Sequence, residues 1–310
     1  MRIVFMGTPE FAVPSLKALV EAGYEVCGVF TQPDKPKNRG MKLQTTPIKE
    51  YALSAGLPVF QPVKMRDGEA LSILRGLKPD LITVAAYGKI LPVDILDLPP
   101  LGCINVHSSL LPKYRGAAPI NWAILNGEEE TGVTIQRMAE EVDAGDILAQ
   151  ARTSIDIDEN AAQLLLRLAQ MGAELLVETV RQLETGSAGA IPQDESQASY
   201  APMLSRDLSP MDWSKTARQL HDQVRGLYPW PSAVAALDGI RCKIICTSLL
   251  DMETDQLPGT VLQADKKGLQ IACGDGKALV ILELQPDGKK VMSAAAFLLG
   301  HPIQRGTVIN

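Results

Sequence analysis

The chain has 310 residues, of which 46% are apolar and 21% charged, and its formal net charge is −6. These values exclude a disordered chain, a collagen and a coiled coil, and the length favours two domains over one. No apolar run approaches the ~20 residues of a membrane span, the five cysteines form no C-x-x-C pair, and only three histidines are present, so the expectation is a cytoplasmic protein with reduced thiols and no metal.

RIVFMG (2–7) is a short apolar run ending in glycine and predicts a buried parallel strand. Pro14 opens the helical stretch PSLKALVEAG, which stops at Gly23; proline early and glycine late is the expected asymmetry of a helix. YEVCGVFT (24–31) predicts a second strand, TPIKEYALSAG (46–56) a helix, PVFQ (58–61) a short strand, and residues 67–77 another helix. LITVAA (81–86) and GCINVH (102–107) read as strands, PINWAILNG (119–127) as a helix, and TGVTIQRM (131–138) and DILAQARTSI (146–155) as strands. A long amphipathic helix over about 159–184 carries Leu164, Leu165, Leu168, Leu175, Leu176 and Leu183 on one side. This β-α-β alternation predicts a doubly wound α/β domain.

Residues 186–208 lack periodicity and are rich in small and polar residues, which predicts a linker. Beyond it, TARQLHDQVRGL (216–227) reads as a helix, and VAALDG, RCKIICT, PGTVLQADKKG, LQIACGDGKALVILEL and GTVIN read as short strands broken by turns. That pattern predicts a small β-barrel or sandwich. Charge balance changes as well: of 30 Lys+Arg and 36 Asp+Glu, 12 and 11 lie from Arg206 onward and 18 and 25 before it, giving +1 and −7. One run opposes the acidic average, with Lys35, Lys37, Arg39 and Lys42 lying within eight residues and no acid between them.

After the first strand stands GTPEFA, with one glycine where a dinucleotide-binding turn needs three, and no phosphate-binding loop of the G-x-x-x-x-G-K-[ST] type occurs. The chemistry concentrates instead at residues 103–127. Asn105 and His107 are two apart at the end of a strand, so both side chains point to one face. That face lies at the carboxyl end, where open α/β sheets bind ligands. An amide and an imidazole side by side can bind a developing oxyanion. Asp143, in the acidic turn EEVDAGDI, is placed to orient the imidazole, favour its protonated form or relay a proton. The plainer alternatives are a strand cap for the Asn-x-His pair and an ordinary turn residue for Asp143. Ser108 and Ser109 follow His107, but no G-x-S-x-G elbow presents them, which argues against covalent acyl transfer.

INVHSSLLPKYRGAAPINWAI, followed by the acidic turn with Asp143, resembles the folate-dependent formyltransferase family. MGTPEFAVPSLKAL, the basic insert DKPKNRGMKLQTTPIK, VAAYGKILP and DWSKTARQLHDQVRGLYPWP resemble the members of that family that act on methionyl-tRNA, over essentially the whole chain. The resemblance implies formyl transfer from 10-formyltetrahydrofolate to the α-amine of methionyl initiator tRNA, without a metal. A small amine, such as glycinamide ribonucleotide or an amino-sugar nucleotide, is the alternative acceptor. A non-catalytic tRNA-binding protein is the rival from another class, and intact Asn105, His107 and Asp143 oppose it.

By the same resemblance, Asn105 and His107 donate to the formyl oxygen and Asp143 accepts or relays the proton lost by the amine. Ser109, Leu110, Leu111 and Pro112 form a folate-contacting loop, and Tyr87, Ile90 and Leu91 line the pterin pocket with the backbone around 139–143. Lys35, Lys37, Arg39 and Lys42 enter the tRNA acceptor region; read alone, the insert is either a solvated loop or a phosphate-binding one. The expected architecture is a Rossmann-like α/β formyltransferase domain over 1–188, a linker over 189–207 and a small OB-like β-barrel domain over 208–310 that binds tRNA, in a monomer.

Overall fold

The computed structural model describes residues 1–37 and 42–309. β1 (Arg2–Gly7) is buried from Ile3 onward. α1 (Val13–Glu21) has Pro14 in its first turn, and Gly23 at φ 82° turns the chain back into β2 (Glu25–Phe30). β3 (Lys35–Lys37) and β4 (Lys42–Gln44) pair as a short antiparallel ribbon inside the basic insert, where the sequence indicates only a loop. α2 (Pro47–Ser54) is capped by Thr46, whose hydroxyl accepts from the Lys49 amide at 3.2 Å. There follow β5 (Val59–Phe60), α3 (Glu69–Leu77), β6 (Leu81–Ala85), the single-turn α4 (Val93–Leu96), β7 (Cys103–His107), β8 (Arg115–Gly116), α5 (Pro119–Leu125), β9 (Glu130–Arg137), β10 (Ile147–Ser154) and α6 (Ala161–Glu184). The rest of the chain forms β11 (Tyr200–Ala201), α7 (Ala217–Gly226), β12 (Ala233–Leu237), β13 (Ile240–Glu253), β14 (Val261–Asp265), β15 (Gly268–Ala272), β16 (Lys277–Pro286), β17 (Met292–Ser293) and α8 (Ala294–Gly300).

The chain divides into two compact units. Met1–Gly116, Thr131–Thr153 and Leu165–Ala201 form the first; Ala117–Glu130, Ser154–Leu164 and Pro202–Asn310 form the second.

The first unit is the expected Rossmann-like layer structure, with strand order β10-β9-β7-β6-β1-β2-β5. Five strands, β5-β2-β1-β6-β7, run parallel, and β9 joins β7 antiparallel. From β1 the chain moves outward through β2 to β5, then returns to build β6 and β7 on the other side. The order therefore reverses between β1 and β6, and the carboxyl ends of β1, β6 and β7 meet at the crevice this reversal opens. β1, β2 and β6 are near-continuous apolar runs because both faces are covered. One cluster, from Val4 and Met6 through Leu74, Ile82, Tyr87, Leu91 and Ile95, fills one such face.

The expected linker is fastened to this unit as far as β11, which pairs with β8 in parallel register. The second unit holds an antiparallel sheet of order β12-β13-β16-β15-β14, with β17 pairing β16. β13 is twice the length that RCKIICT predicts, and its register slips at Ile244/Cys246, Cys246/Thr247 and Leu250/Glu253, which bends it. Where GTVIN is expected to form a strand, the described residues 306–309 make an isolated bridge, Thr260 with Val308. α7 starts on a capping box in which Thr216 and Gln219 satisfy each other's backbone amides. α8 went unsignalled because its seven residues have no polar face to give a period. Among the described residues, no helix is long and apolar enough to cross a membrane.

Candidate active site

β7 carries Asn105 and His107 to the carboxyl edge of the sheet on one face. Antiparallel pairing sets Gln136 opposite Asn105 and Thr134 opposite His107, so four polar side chains of β7 and β9 share that face. His107 is buried. Its Nε2 lies 2.9 Å from the Tyr114 carbonyl oxygen, an acceptor, so Nε2 carries the proton and donates. Nδ1 then faces Asp143, 3.6 Å from Oδ1.

The Asp143 carboxylate is itself held at both oxygens. Oδ1 accepts from Gln136 Nε2 at 2.8 Å, and Oδ2 accepts from the Gly116 amide at 2.9 Å. Asp143 sits at φ 55°, in the left-handed region that Asp tolerates better than most residues. Its turn closes tightly on β9: a Cβ built on Gly145 would lie 1.9 Å from the Arg137 carbonyl oxygen, so only glycine fits there. Gly116 is constrained in the same way, since its φ is 115° and an added Cβ would meet the Ala201 carbonyl oxygen at 2.9 Å.

The structure thus brings His107 and Asp143 together as a pair. Asn105 lies two residues back along β7, roughly 6.6 Å away by strand rise. Its side chain is half-buried and makes no hydrogen bond among the described residues. An amide in that state is available to a ligand oxygen.

The loop after β7 is pinned by Thr134. Its hydroxyl donates to the Ser109 carbonyl at 2.7 Å and accepts from the Leu111 amide at 3.1 Å. Ser109 Oγ donates to the Lys113 carbonyl at 2.6 Å, and Gln150 Nε2 donates to the Leu111 carbonyl at 2.8 Å. Leu111 is buried, whereas Leu110 and Pro112 are half-buried. Tyr87 and Leu91 turn their side chains into the core, where burial pushes the Tyr87 phenol well above its ordinary range and its hydroxyl meets Met65 Sδ at 3.3 Å. Ile90 stands exposed. Of the basic run, Lys35 is exposed and donates to Gln32 Oε1 at 3.0 Å. Arg39 and the side chains of Lys37 and Lys42 lie outside the described residues.

Further contacts behind the pair leave no pattern in the sequence. Arg115 is fully buried, donating from Nε and Nη2 to Gln193 Oε1 at 3.1 and 2.8 Å and from Nη1 and Nη2 to the Glu195 carboxylate at 2.9 and 2.7 Å. The guanidinium holds the Glu195 carboxyl below its ordinary range. Gln193 Nε2 in turn donates to the Asp143 and Gly145 carbonyls at 2.8 and 2.7 Å. The polar alternation of Thr134 and Gln136 in TGVTIQRM is a signal that could have found Gln136; nothing local marks Gln193. Among the described residues, no group of three or more His, Cys, Asp or Glu could hold a metal ion.

Residues 1–180 match the family model described as formyl transferase, and residues 204–302 match the formyl transferase C-terminal domain. The chain is 50% identical over 311 residues to a methionyl-tRNA formyltransferase of Acetivibrio thermocellus, covering 100% of both chains. It is 47% identical over 309 residues to that of Bacillus subtilis, covering 100% of this chain and 98% of the other. Among solved structures, an N-formyltransferase from Helicobacter canadensis in complex with folinic acid and dTDP-3-aminofucose matches with a TM-score of 0.71 at 20% identity. It covers 92% of this chain and 98% of the other, and at that identity the likeness speaks for the fold.

Proposed function

The chain belongs to the formyl transferase family, and from that premise we propose that it transfers the formyl group of 10-formyltetrahydrofolate to the α-amine of methionyl initiator tRNA. The product is N-formylmethionyl-tRNA, for translation initiation. Relatives about half identical over the full length carry this activity in their names, which favours charged tRNA over a small amine as acceptor.

The acceptor amine is already a nucleophile once deprotonated, so the site needs no serine or cysteine. The amine nitrogen bonds to the formyl carbon, the carbon's bond to the folate nitrogen breaks, and a proton passes from the first nitrogen to the second. Negative charge builds meanwhile on the formyl oxygen. The observation that carries this reading is the half-buried Asn105 amide, without a hydrogen-bond partner among the described residues, on the face it shares with the His107–Asp143 pair. Asn105 donates to the formyl oxygen, a contact worth ~3 kcal/mol when preorganised. With Nε2 committed to Tyr114 and Nδ1 facing Asp143, His107 takes not the donation to the formyl oxygen that the resemblance implies but a proton-transfer role, with Nδ1 as the point where a proton is taken up or released. Asp143 faces that nitrogen and accepts or relays the proton.

The pinned loop Ser109–Leu110–Leu111–Pro112 contacts the folate, and Ile90 presents an apolar side chain to the pterin. The buried Tyr87 and Leu91 act from behind, while Thr8 Oγ1 and Gln32 Nε2 fix the backbone of that segment by donating to the Tyr87 carbonyl at 3.0 Å each. Lys35, Lys37, Arg39 and Lys42 meet phosphates of the tRNA, which an acidic chain needs in order to hold a polyanion. In domain terms, 1–188 is catalytic, 189–207 connects, and 208–310 binds tRNA; the protein works as a cytoplasmic monomer.

The test is a direct assay of three acceptors: charged initiator tRNA, glycinamide ribonucleotide and an amino-sugar nucleotide, each with 10-formyltetrahydrofolate. Formylation of the charged tRNA alone is expected. Preference for either small amine would overturn the acceptor assignment.

A further inference from the structure

The segment between the two stretches that the family models match does more than connect them. Gln193 spends its whole hydrogen-bonding capacity beside Asp143. Its amide donates to the Asp143 carbonyl at 2.8 Å and the Gly145 carbonyl at 2.7 Å, and its carbonyl oxygen accepts from Arg115 Nε at 3.1 Å and Nη2 at 2.8 Å. Arg115 cannot turn aside, because it is fully buried and its other donors grip the Glu195 carboxylate. Ser199, in the same segment, accepts from the Tyr114 amide at 3.0 Å, and the Tyr114 carbonyl is the acceptor for His107 Nε2 at 2.9 Å. The segment therefore reaches both members of the pair through their neighbours, with no hydrogen bond to either side chain among the described residues.

We infer that Gln193, oriented by Arg115, is a positioning residue: it holds the 143–145 backbone in the left-handed turn that aims the Asp143 carboxylate at His107 Nδ1. This rests on the role given above to Asp143. Two carbonyls of the turn are drawn onto one amide. A turn with a non-glycine residue at φ 55° needs such an external restraint to stay in one conformation. Gln193 itself is only half-buried, so its truncation admits water rather than opening a core cavity.

The experiment is a double-mutant cycle on the full-length protein with charged tRNA as acceptor. Gln193→Ala is expected to lower kcat about tenfold to a hundredfold, the order that a misplaced reacting group costs, with KM for the tRNA unchanged. Placed on top of Asp143→Asn, the same substitution is expected to change kcat less than about twofold, because nothing remains to be aimed. Gln193→Glu keeps the chain length and the Arg115 contact but cannot donate to the two carbonyls. It is expected to behave as Gln193→Ala does, and it carries the test if the alanine variant does not fold. Equal fold losses in the parent and in the Asp143→Asn background would overturn the proposal, as would an unaltered kcat in both Gln193 variants. If Asp143→Asn alone were as active as the parent, the role given to Asp143 would fail first, a result distinct from either of these.

Discussion

At the scale of single residues, two different demands converge on Asp143. Its side chain must face His107, and its backbone must hold φ 55°. Asn meets the second demand but removes the charge and one of the two accepting oxygens, so that either Gln136 Nε2 or the Gly116 amide loses its acceptor, whereas Ala loses both acceptors and adds the left-handed penalty of about 1 kcal/mol. Asp143→Asn is therefore expected to lose at least about a hundredfold in kcat, the scale of a general acid–base contribution, with its melting temperature lowered only slightly, by the one hydrogen bond it loses. Asp143→Ala should lose activity and melt lower than the Asn variant. Asn105 poses the opposite case, since its amide has no hydrogen-bond partner to lose among the described residues. Asn105→Ala should cost about 10²- to 10³-fold in turnover, as removal of an oxyanion donor does, and nothing in thermal stability. A variant that melts early yet turns over normally would mean that the amide serves the fold.

Elements decide where those residues arrive. The site is built on the ends of β7 and β9 and on the turn that follows β9, and glycine sets how closely that turn closes. A Cβ on Gly145 would sit 1.9 Å from the Arg137 carbonyl oxygen, so Gly145→Ala must push the 138–146 turn off its strand. The expected result is a loss of turnover comparable to that of Asp143→Asn, with intact folding by circular dichroism. Gly189→Ala, where no atom lies within 4 Å of the added Cβ, should match the parent and serves as the control. Much of this scale was legible in the sequence. The i, i+2 spacing of Asn105 and His107 put both on one strand face, and the alternation of apolar runs with helical periods marked β1, β2, β6, β7 and α6. The contacts of Gln193 and Glu195 were not legible. Hydrogen bonds between residues 48 to 80 positions apart leave no periodicity, and a polar segment without period looks the same whether it is solvated or fastened.

For the whole molecule, each unit is assembled from three stretches of chain, which local patterns cannot disclose. In the second unit, Asn121 of α5 donates to the Gly226 carbonyl at 2.7 Å, and a Cβ on Gly226 would crowd Leu125 and Ile124 at 3.0 and 3.2 Å. Residues 154–164 of the same unit are bound through polar groups of α7. Arg225 donates to the Asp156 and Glu159 carbonyls at 3.0 Å, while pairing with Asp222, which also takes Arg218. His221 bridges the same segment to β13: Nε2 donates to the Ile157 carbonyl at 2.8 Å, and Nδ1 accepts from Thr247 Oγ1 at 2.9 Å. Burial pushes the His221 imidazole below its ordinary value of 6.5, and the hydrogen bond to Ile157 only partly opposes this. A histidine lowered in the folded state binds fewer protons there than in the unfolded chain, so its contribution to stability grows with pH. That contribution is complete above about 6.5 and drains away as the pH falls from there through the folded-state value. His221→Gln keeps a donor and an acceptor but does not titrate. Melting temperatures of the full-length protein, measured from pH 8 down to pH 5, should therefore fall more steeply for the parent than for His221→Gln. The two curves should be furthest apart at the alkaline end and converge on acidification. Parallel curves would mean that His221 is as easily protonated folded as unfolded, and that some other group sets the acid limit of the molecule.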